Sequence, residues 1–77
     1  MQRRFLVIIE KGDTGYGANT PDLPGCVAVG DTRKEVEREM RAAIALHLQG
    51  MIEDHEPIPS GDSLVEYIEV SLPDQVA

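Results

Sequence analysis

The sequence contains few residues that could carry out metal or nucleophilic chemistry. Its single cysteine, Cys26, and its two histidines, His47 and His55, are isolated from one another along the chain. A zinc site needs about four converging ligands, and the histidines do not form an i, i+4 pair on a helix. Most lone cysteines are inert core residues, and Cys26 has no base near it in the sequence. We therefore expect no metal site and no cofactor.

Four carboxylates raise the alternative of two-metal nuclease chemistry. Glu10, Asp13, Asp22 and Asp31 could hold two divalent ions if the fold brought them together. Such a site requires carboxylates at the centres of adjacent strands in a sheltered cavity. Asp13 and Asp22 instead lie in predicted turns, and Asp31 precedes a predicted helix. The sequence thus favours a binding protein over an enzyme.

Length and charge narrow the class of protein further. The chain has 77 residues, with 14 Asp and Glu against 7 Lys and Arg, giving a net charge of −7. This charge repels nucleic-acid phosphates and attracts basic surfaces, although acidity also keeps a small protein soluble. A chain this short buries only a thin core. We expect one domain over residues 1–77 that forms a homo-oligomer, either a dimer or a tetramer.

The cellular location is predicted from what the sequence lacks. It has one cysteine, no N-terminal signal peptide and no apolar run near the roughly 20 residues of a membrane span. These features predict a cytoplasmic protein that does not contact membranes.

Three short apolar segments separated by turn-forming residues predict an antiparallel meander. A nearly continuous apolar run at residues 4–10 is typical of a central strand, and the glycine-rich residues 11–15 form a hairpin turn. A second strand at residues 16–20 ends at Pro21, which lacks the N–H needed for pairing. Residues 26–30 form the third strand.

The clearest local signal marks the start of a helix. Thr32 followed by Glu35 matches the capping box, so both residues are assigned a structural role as the helix cap. Apolar residues then recur at spacings of three and four on one stripe, which must lie on the sheet. The helix cannot continue through Pro57, so it should end near residues 53–54. The stripe comprises Val36, Met40, Ala43, Ile44, His47, Leu48 and Met51.

A fourth strand is predicted after the helix. Residues 64–70 mix β-branched and aromatic residues with alternating glutamates, a composition typical of strands. The predicted order is β-β-β-α-β, an α+β fold in which a three-stranded antiparallel meander precedes the helix.

One motif makes the chain recognisable. Residues 21–26, Pro-Asp-Leu-Pro-Gly-Cys, are followed at short distance by Gly-Asp-Thr at residues 30–32, and together they resemble the HicB-like antitoxin family. The resemblance runs from Phe5 to about Pro59. It implies a partial RNase H-like domain, a sheet with one helix packed on it. It also implies a partner, the small basic ribonuclease HicA, which cleaves messenger RNA and which the antitoxin binds and inhibits.

Full-length members of this family usually add a C-terminal DNA-binding segment. The present sequence stops soon after the predicted fourth strand, so it is similar to a short, single-domain member and we expect no direct DNA binding. Two functions stay open. The chain is either an antitoxin-like inhibitor of a HicA-type toxin or a solitary oligomeric binding module whose ligand no motif reveals.

The turn between the second and third strands is the candidate contact with a partner. Asp22, Leu23, Pro24 and Gly25 form a rigid connection in which prolines fix φ and glycine permits unusual geometry. This structural role alone is sufficient to explain why these four residues occur in the turn. A protruding, preorganised turn could also contact a partner, with Asp22 as a carboxylate anchor, and the two roles are compatible.

Overall fold

The computed structural model describes residues 2–74. It contains β1 (Ile8–Lys11), β2 (Tyr16–Asn19), β3 (Val27–Gly30) and α1 (Arg33–Glu53) in that order. The strands form one antiparallel sheet in the order β1-β2-β3, so β1 and β3 are its two edges. The prediction that the first strand is central is wrong, because β1 pairs only with β2 among the described residues. The α+β class and the meander followed by a helix are confirmed.

The first strand is shorter than the sequence predicts. Ile8 pairs with Asn19 of β2, and Asn19 pairs in turn with Val27 of β3. The chain turns at Pro21, so β2 ends at Asn19 and offers no partner to residues 4–7. The prediction of a strand beginning at residue 4 is therefore wrong, because an apolar run becomes a strand only where a neighbour pairs with it.

The helix covers one face of the sheet and forms the core with it. Val36 and Met40 of α1 are buried together with Ala18 of β2, Leu23 and Cys26. This confirms that the apolar stripe of the helix lies on the sheet. Half-buried residues surround this cluster and come from both layers: Phe5, Val7, Ile9, Tyr16, Ala28, Ala43, Ile44, Leu48 and Met51.

The start of α1 is held close to the sheet. The Thr32 Oγ1 accepts a hydrogen bond from the Glu35 N–H at 3.1 Å, which confirms the predicted N-cap. A return bond from the Glu35 side chain is not found within residues 2–74. A Cβ at Gly30 would lie 2.7 Å from the Val36 nitrogen, so only glycine allows the helix to approach β3 this closely.

The helix ends where the sequence predicts, in a Schellman motif. The Glu56 N–H donates to the Met51 carbonyl at 2.8 Å, and the His55 N–H donates to the Ile52 carbonyl at 3.1 Å. His55 has a φ of 57°, the left-handed conformation that glycine usually supplies at this position. The motif turns the chain out of the helix.

Within the described residues, no helix is both long and apolar enough to cross a membrane.

Residues 64–74, which we call the arm, extend away from the rest of the structure. The predicted fourth strand at residues 64–70 is not confirmed, because within residues 2–74 it pairs with no other strand. Leu64 and Tyr67 are 92% and 98% exposed. The radius of gyration, 16.1 Å, exceeds the roughly 11.5 Å expected of a compact chain of this length. The arm has strand composition but lacks a neighbouring strand.

Candidate protein-binding surfaces

The turn between β2 and β3 divides its residues between core and surface. The Leu23 N–H donates to the Thr20 carbonyl, and the Cys26 N–H donates to the Leu23 carbonyl, both at 3.1 Å. This geometry places the Leu23 side chain in the core, while Pro24 and Gly25 are exposed at the tip. Gly25 has a φ of 86°, which glycine adopts without the strain that a side chain would bring.

Asp22 is engaged within the chain itself. Its Oδ1 accepts a hydrogen bond from the Ser63 hydroxyl at 2.6 Å, and its Oδ2 is buried without a partner in the described part of the chain. Of the four residues predicted to contact a partner, only Pro24 and Gly25 are exposed. Contact with a partner stays a prediction, and the structure offers the tip of the turn for it.

The sheet face opposite the helix is uncovered. This open face carries Val27 and Val29 of the edge strand β3, which are 64% and 76% exposed, and Ile8 of β1. Side chains alternate along a strand, so Cys26 and Ala28 point toward the helix instead. Contiguous exposed apolar residues commonly mark an interaction surface. The alternation is readable in the sequence, but only the structure shows that this face is uncovered.

An acidic cleft adjoins the open face beyond the end of β3. Glu10, Asp31 and Glu35 line this cleft together with Lys11, and Val29 forms part of its wall. The cleft places carboxylates directly beside exposed apolar side chains. Such a combination suits a protein partner whose surface is apolar at its centre and basic at its rim.

A second uncovered surface lies at the opposite edge of the sheet. We call it the groove, and it separates β1 and the residues before it from α1, with a volume of about 530 Å³. Its walls are mainly apolar, and arginines stand at its rim. The groove is lined by Arg3, Phe5, Val7, Ile9, Glu37, Met40, Arg41, Ile44, Ala45 and Leu48.

The residues considered for catalysis are not brought together. Within residues 2–74, no three His, Cys, Asp or Glu side chains lie close enough to hold a metal ion. Glu10, Asp13, Asp22 and Asp31 therefore do not form the cluster that two-metal chemistry requires. Cys26 is buried, and burial raises the pKa of its thiol above the usual value, which disfavours the reactive thiolate.

The sequence of this chain matches a known protein family. The sequence model of a family described as the HicB_like antitoxin of bacterial toxin-antitoxin systems matches residues 5–75. The chain belongs to the HicB-like antitoxin family. The match confirms the resemblance drawn from the motif around Asp22 and extends it past Pro59.

Two relatives illustrate the range of lengths. A 14.9 kDa protein from the rep-hol intergenic region of Haemophilus phage HP1 is 40% identical over 64 residues. The match covers 83% of this chain but 48% of the phage protein, so the chain spans about half the length of that relative. A UPF0150 protein of Synechocystis is 36% identical over 67 residues, covering 86% of this chain and 85% of the relative.

A solved structure shares the HicB-like fold. One chain of a structure described as the HicA3 and HicB3 toxin-antitoxin complex superimposes with a TM-score of 0.59 at 26% sequence identity. The match covers 71% of this chain and 67% of the other. The α+β architecture is thus shared with a structure from a toxin-antitoxin pair.

Proposed function

We propose that this chain binds and inhibits a small basic ribonuclease of the HicA type by occupying its RNA-binding surface. The observation that carries the proposal is the open face, where exposed Val29 lines the acidic cleft and exposed Val27 lies two residues before it on the same face of β3. Family membership and the likeness to a structure from a toxin-antitoxin complex support this class of partner.

Apolar and acidic groups would have separate roles in this inhibition. A desolvated apolar centre supplies most of the affinity of a protein interface, whereas charges at the rim mainly accelerate association. Val27 and Val29 would supply the centre, and Glu10 and Asp31 would supply the rim. A net charge of −7 further favours encounter with a basic protein. The carboxylates would stand where RNA phosphates otherwise bind.

The turn extends this surface along β3. Pro24 and Gly25 are exposed at the tip and precede Val27 by two or three residues, so the tip and the open face can contact one partner. In this proposal the partial RNase H-like domain implied by the resemblance acts as a binding scaffold in the cytoplasm. Inhibition by occupancy requires no catalytic step.

The first test is capture of the toxin with the tagged full chain from a native lysate, at low and at high salt. We expect retention of a small basic protein that cleaves RNA after release and not while bound, with weaker retention at high salt because rim charges are screened. If the chain retains no such ribonuclease at either salt, the inhibitor proposal is rejected and the solitary binding module is left.

A second test locates the interface. Val29→Lys places a positive charge on the open face, and it should raise the concentration needed to inhibit RNA cleavage by at least about tenfold. Leu46→Lys is the matched control, since Leu46 is 72% exposed on α1 and lines neither the groove nor the cleft. Equal inhibition by both variants would place the toxin elsewhere on the chain.

A further inference from the structure

We propose that the arm of each chain lies in the groove of a second copy, so that two copies exchange arms and each arm adds a strand beside the partner's β1. The inference goes beyond toxin binding and uses the other edge of the sheet. Two features of the described residues support it: the apolar side chains of the arm are exposed, and the groove is an open apolar cavity.

The arm has the side-chain pattern of a strand that is buried on one face. Successive side chains of extended chain point to opposite sides, so alternate residues share a face. One face carries a single charge, Glu66, among large apolar residues that are all exposed. These apolar residues are Leu64, Ile68, Val70 and Leu72.

The groove offers what such a strand needs. β1 is an edge strand, so one side of its backbone has no pairing strand among the described residues. Ile44 and Leu48 of α1 are only half-buried at the floor of the groove. Seven residues of extended chain span roughly 20 Å. The arm from 64 to 70 therefore matches the length of the groove wall formed by residues 3–9.

Charge also favours this pairing. The apolar face of the arm carries Glu66, and the groove is lined by Arg3 and Arg41 together with Glu37. Opposite charges at the edge of an apolar contact help to select one register and exclude others. A second copy of an acidic chain would otherwise be repelled, so local complementarity is required for self-association.

The route of the chain directs the arm away from its own groove. The Arg3 side chain donates hydrogen bonds to the carbonyls of Ile58 and Pro59 at 3.0 and 2.9 Å. The chain then passes the backbone of Arg4, and Ser63 is held by Asp22 in the turn between β2 and β3. Between Ser63 and Pro73 the sequence contains no Gly, Pro, Asn or Asp, and its one serine, Ser71, lies near the far end of the arm, so residues 64–70 contain no turn former that would reverse the chain.

Exchange between two copies would bring each arm into a groove, although the route of the chain directs it away from its own. A twofold arrangement places each arm on the partner and closes the assembly, since every groove then receives one arm. It would also cover the apolar side chains that a single chain leaves in water. Strand addition of this kind restores the fourth strand that the composition of residues 64–70 predicts.

The experiment compares paired variants of the full chain by sedimentation equilibrium. Ile68→Glu charges the apolar face of the arm, and Ala45→Glu introduces a carboxylate at an exposed position that lines the groove. The wild type should be a dimer, and each variant should raise its dissociation constant at least about 100-fold, since each dimer contains the change twice. Controls carry the same added charge: Ser71→Glu on the other face of the arm, and Ala42→Glu, exposed on α1 outside the groove.

Mixing the two disruptive variants provides a positive result. A dimer of Ile68→Glu with Ala45→Glu contains one intact arm in one intact groove, so the mixture should dimerise more strongly than either variant alone. In a mixture of isotope-labelled and unlabelled chains, nuclear Overhauser contacts between the two chains should place Ile68 of one chain near Ile44 or Leu48 of the other.

Three results would overturn the exchange: a monomeric wild type, a dimer that responds equally to disruptive and control variants, or contacts confined to one chain. The last would show that the arm folds into its own groove. Val29→Lys should leave the dimer intact. Failure of toxin binding and failure of arm exchange are therefore distinguishable.

Discussion

The folded body, residues 8–53, and the arm differ in what covers their apolar residues. In the body, Leu23, Val36 and Met40 are completely enclosed. In the arm, Leu64 and Tyr67 are almost fully exposed although they are as large. Burial stabilises a side chain only when a second surface excludes water from it. The difference therefore lies in the neighbours and not in the composition.

The two regions also differ in how their backbone hydrogen bonds are formed. α1 makes its hydrogen bonds within one segment, so the helix can form wherever its apolar stripe finds the sheet. A strand makes its hydrogen bonds with another strand, and the arm has no such partner in the part of the chain that the structure describes. Local signals are therefore sufficient for α1 and insufficient for residues 64–70.

The largest expected effect tests this contrast directly. Met40→Ala should lower the free energy of unfolding by about 2 to 5 kcal/mol, because it removes a buried side chain and leaves a cavity. Tyr67→Ala should change it by under about 0.5 kcal/mol when both are measured by urea unfolding at concentrations where the chain is monomeric. Similar losses at the two positions would show that the arm packs on its own body.

A smaller effect is expected at two glycines of the body, Gly30 and Gly50, which should respond in opposite directions to the same substitution. Gly30→Ala should destabilise the chain by about 1 to 3 kcal/mol, because its Cβ would overlap the backbone of Val36. The same change at Gly50 meets nothing within 4 Å and should stabilise the helix by up to about 1 kcal/mol. Thermal unfolding followed by circular dichroism would compare them, and a Gly30→Ala variant as stable as the wild type would contradict the close approach of α1 to β3.

The smallest effect concerns the residue that turns the chain out of the body. His55→Gly should raise the free energy of unfolding by about 1 kcal/mol, because glycine adopts the left-handed conformation without steric cost. His47→Gly, the same substitution inside α1, should lower it by roughly 0.5 kcal/mol, the difference in helix propensity between histidine and glycine. Urea unfolding of both variants checks the prediction, and a loss at His55 would mean that its side chain contributes more than its backbone strain costs.

The candidate site was only partly predictable from the sequence. The motif around Asp22 identified the family, and the family match supports that inference. The sequence treated Asp22, Leu23, Pro24 and Gly25 as one contact surface, whereas the structure buries Leu23 and bonds Asp22 to Ser63. A hydrogen bond between residues 41 positions apart leaves no local signal.

The sequence by itself determined the elements whose signals are local. Thr32 sets the start of α1, the spacing of Val36 and Met40 sets its buried face, and the glycines and prolines set the turns. Only the tertiary structure decided where β1 begins, which turn residue enters the core, and that the open face, the groove and the arm are all left uncovered. The physical reason is that strand pairing and burial depend on which distant segment lies alongside, and the composition of one segment does not specify its neighbour.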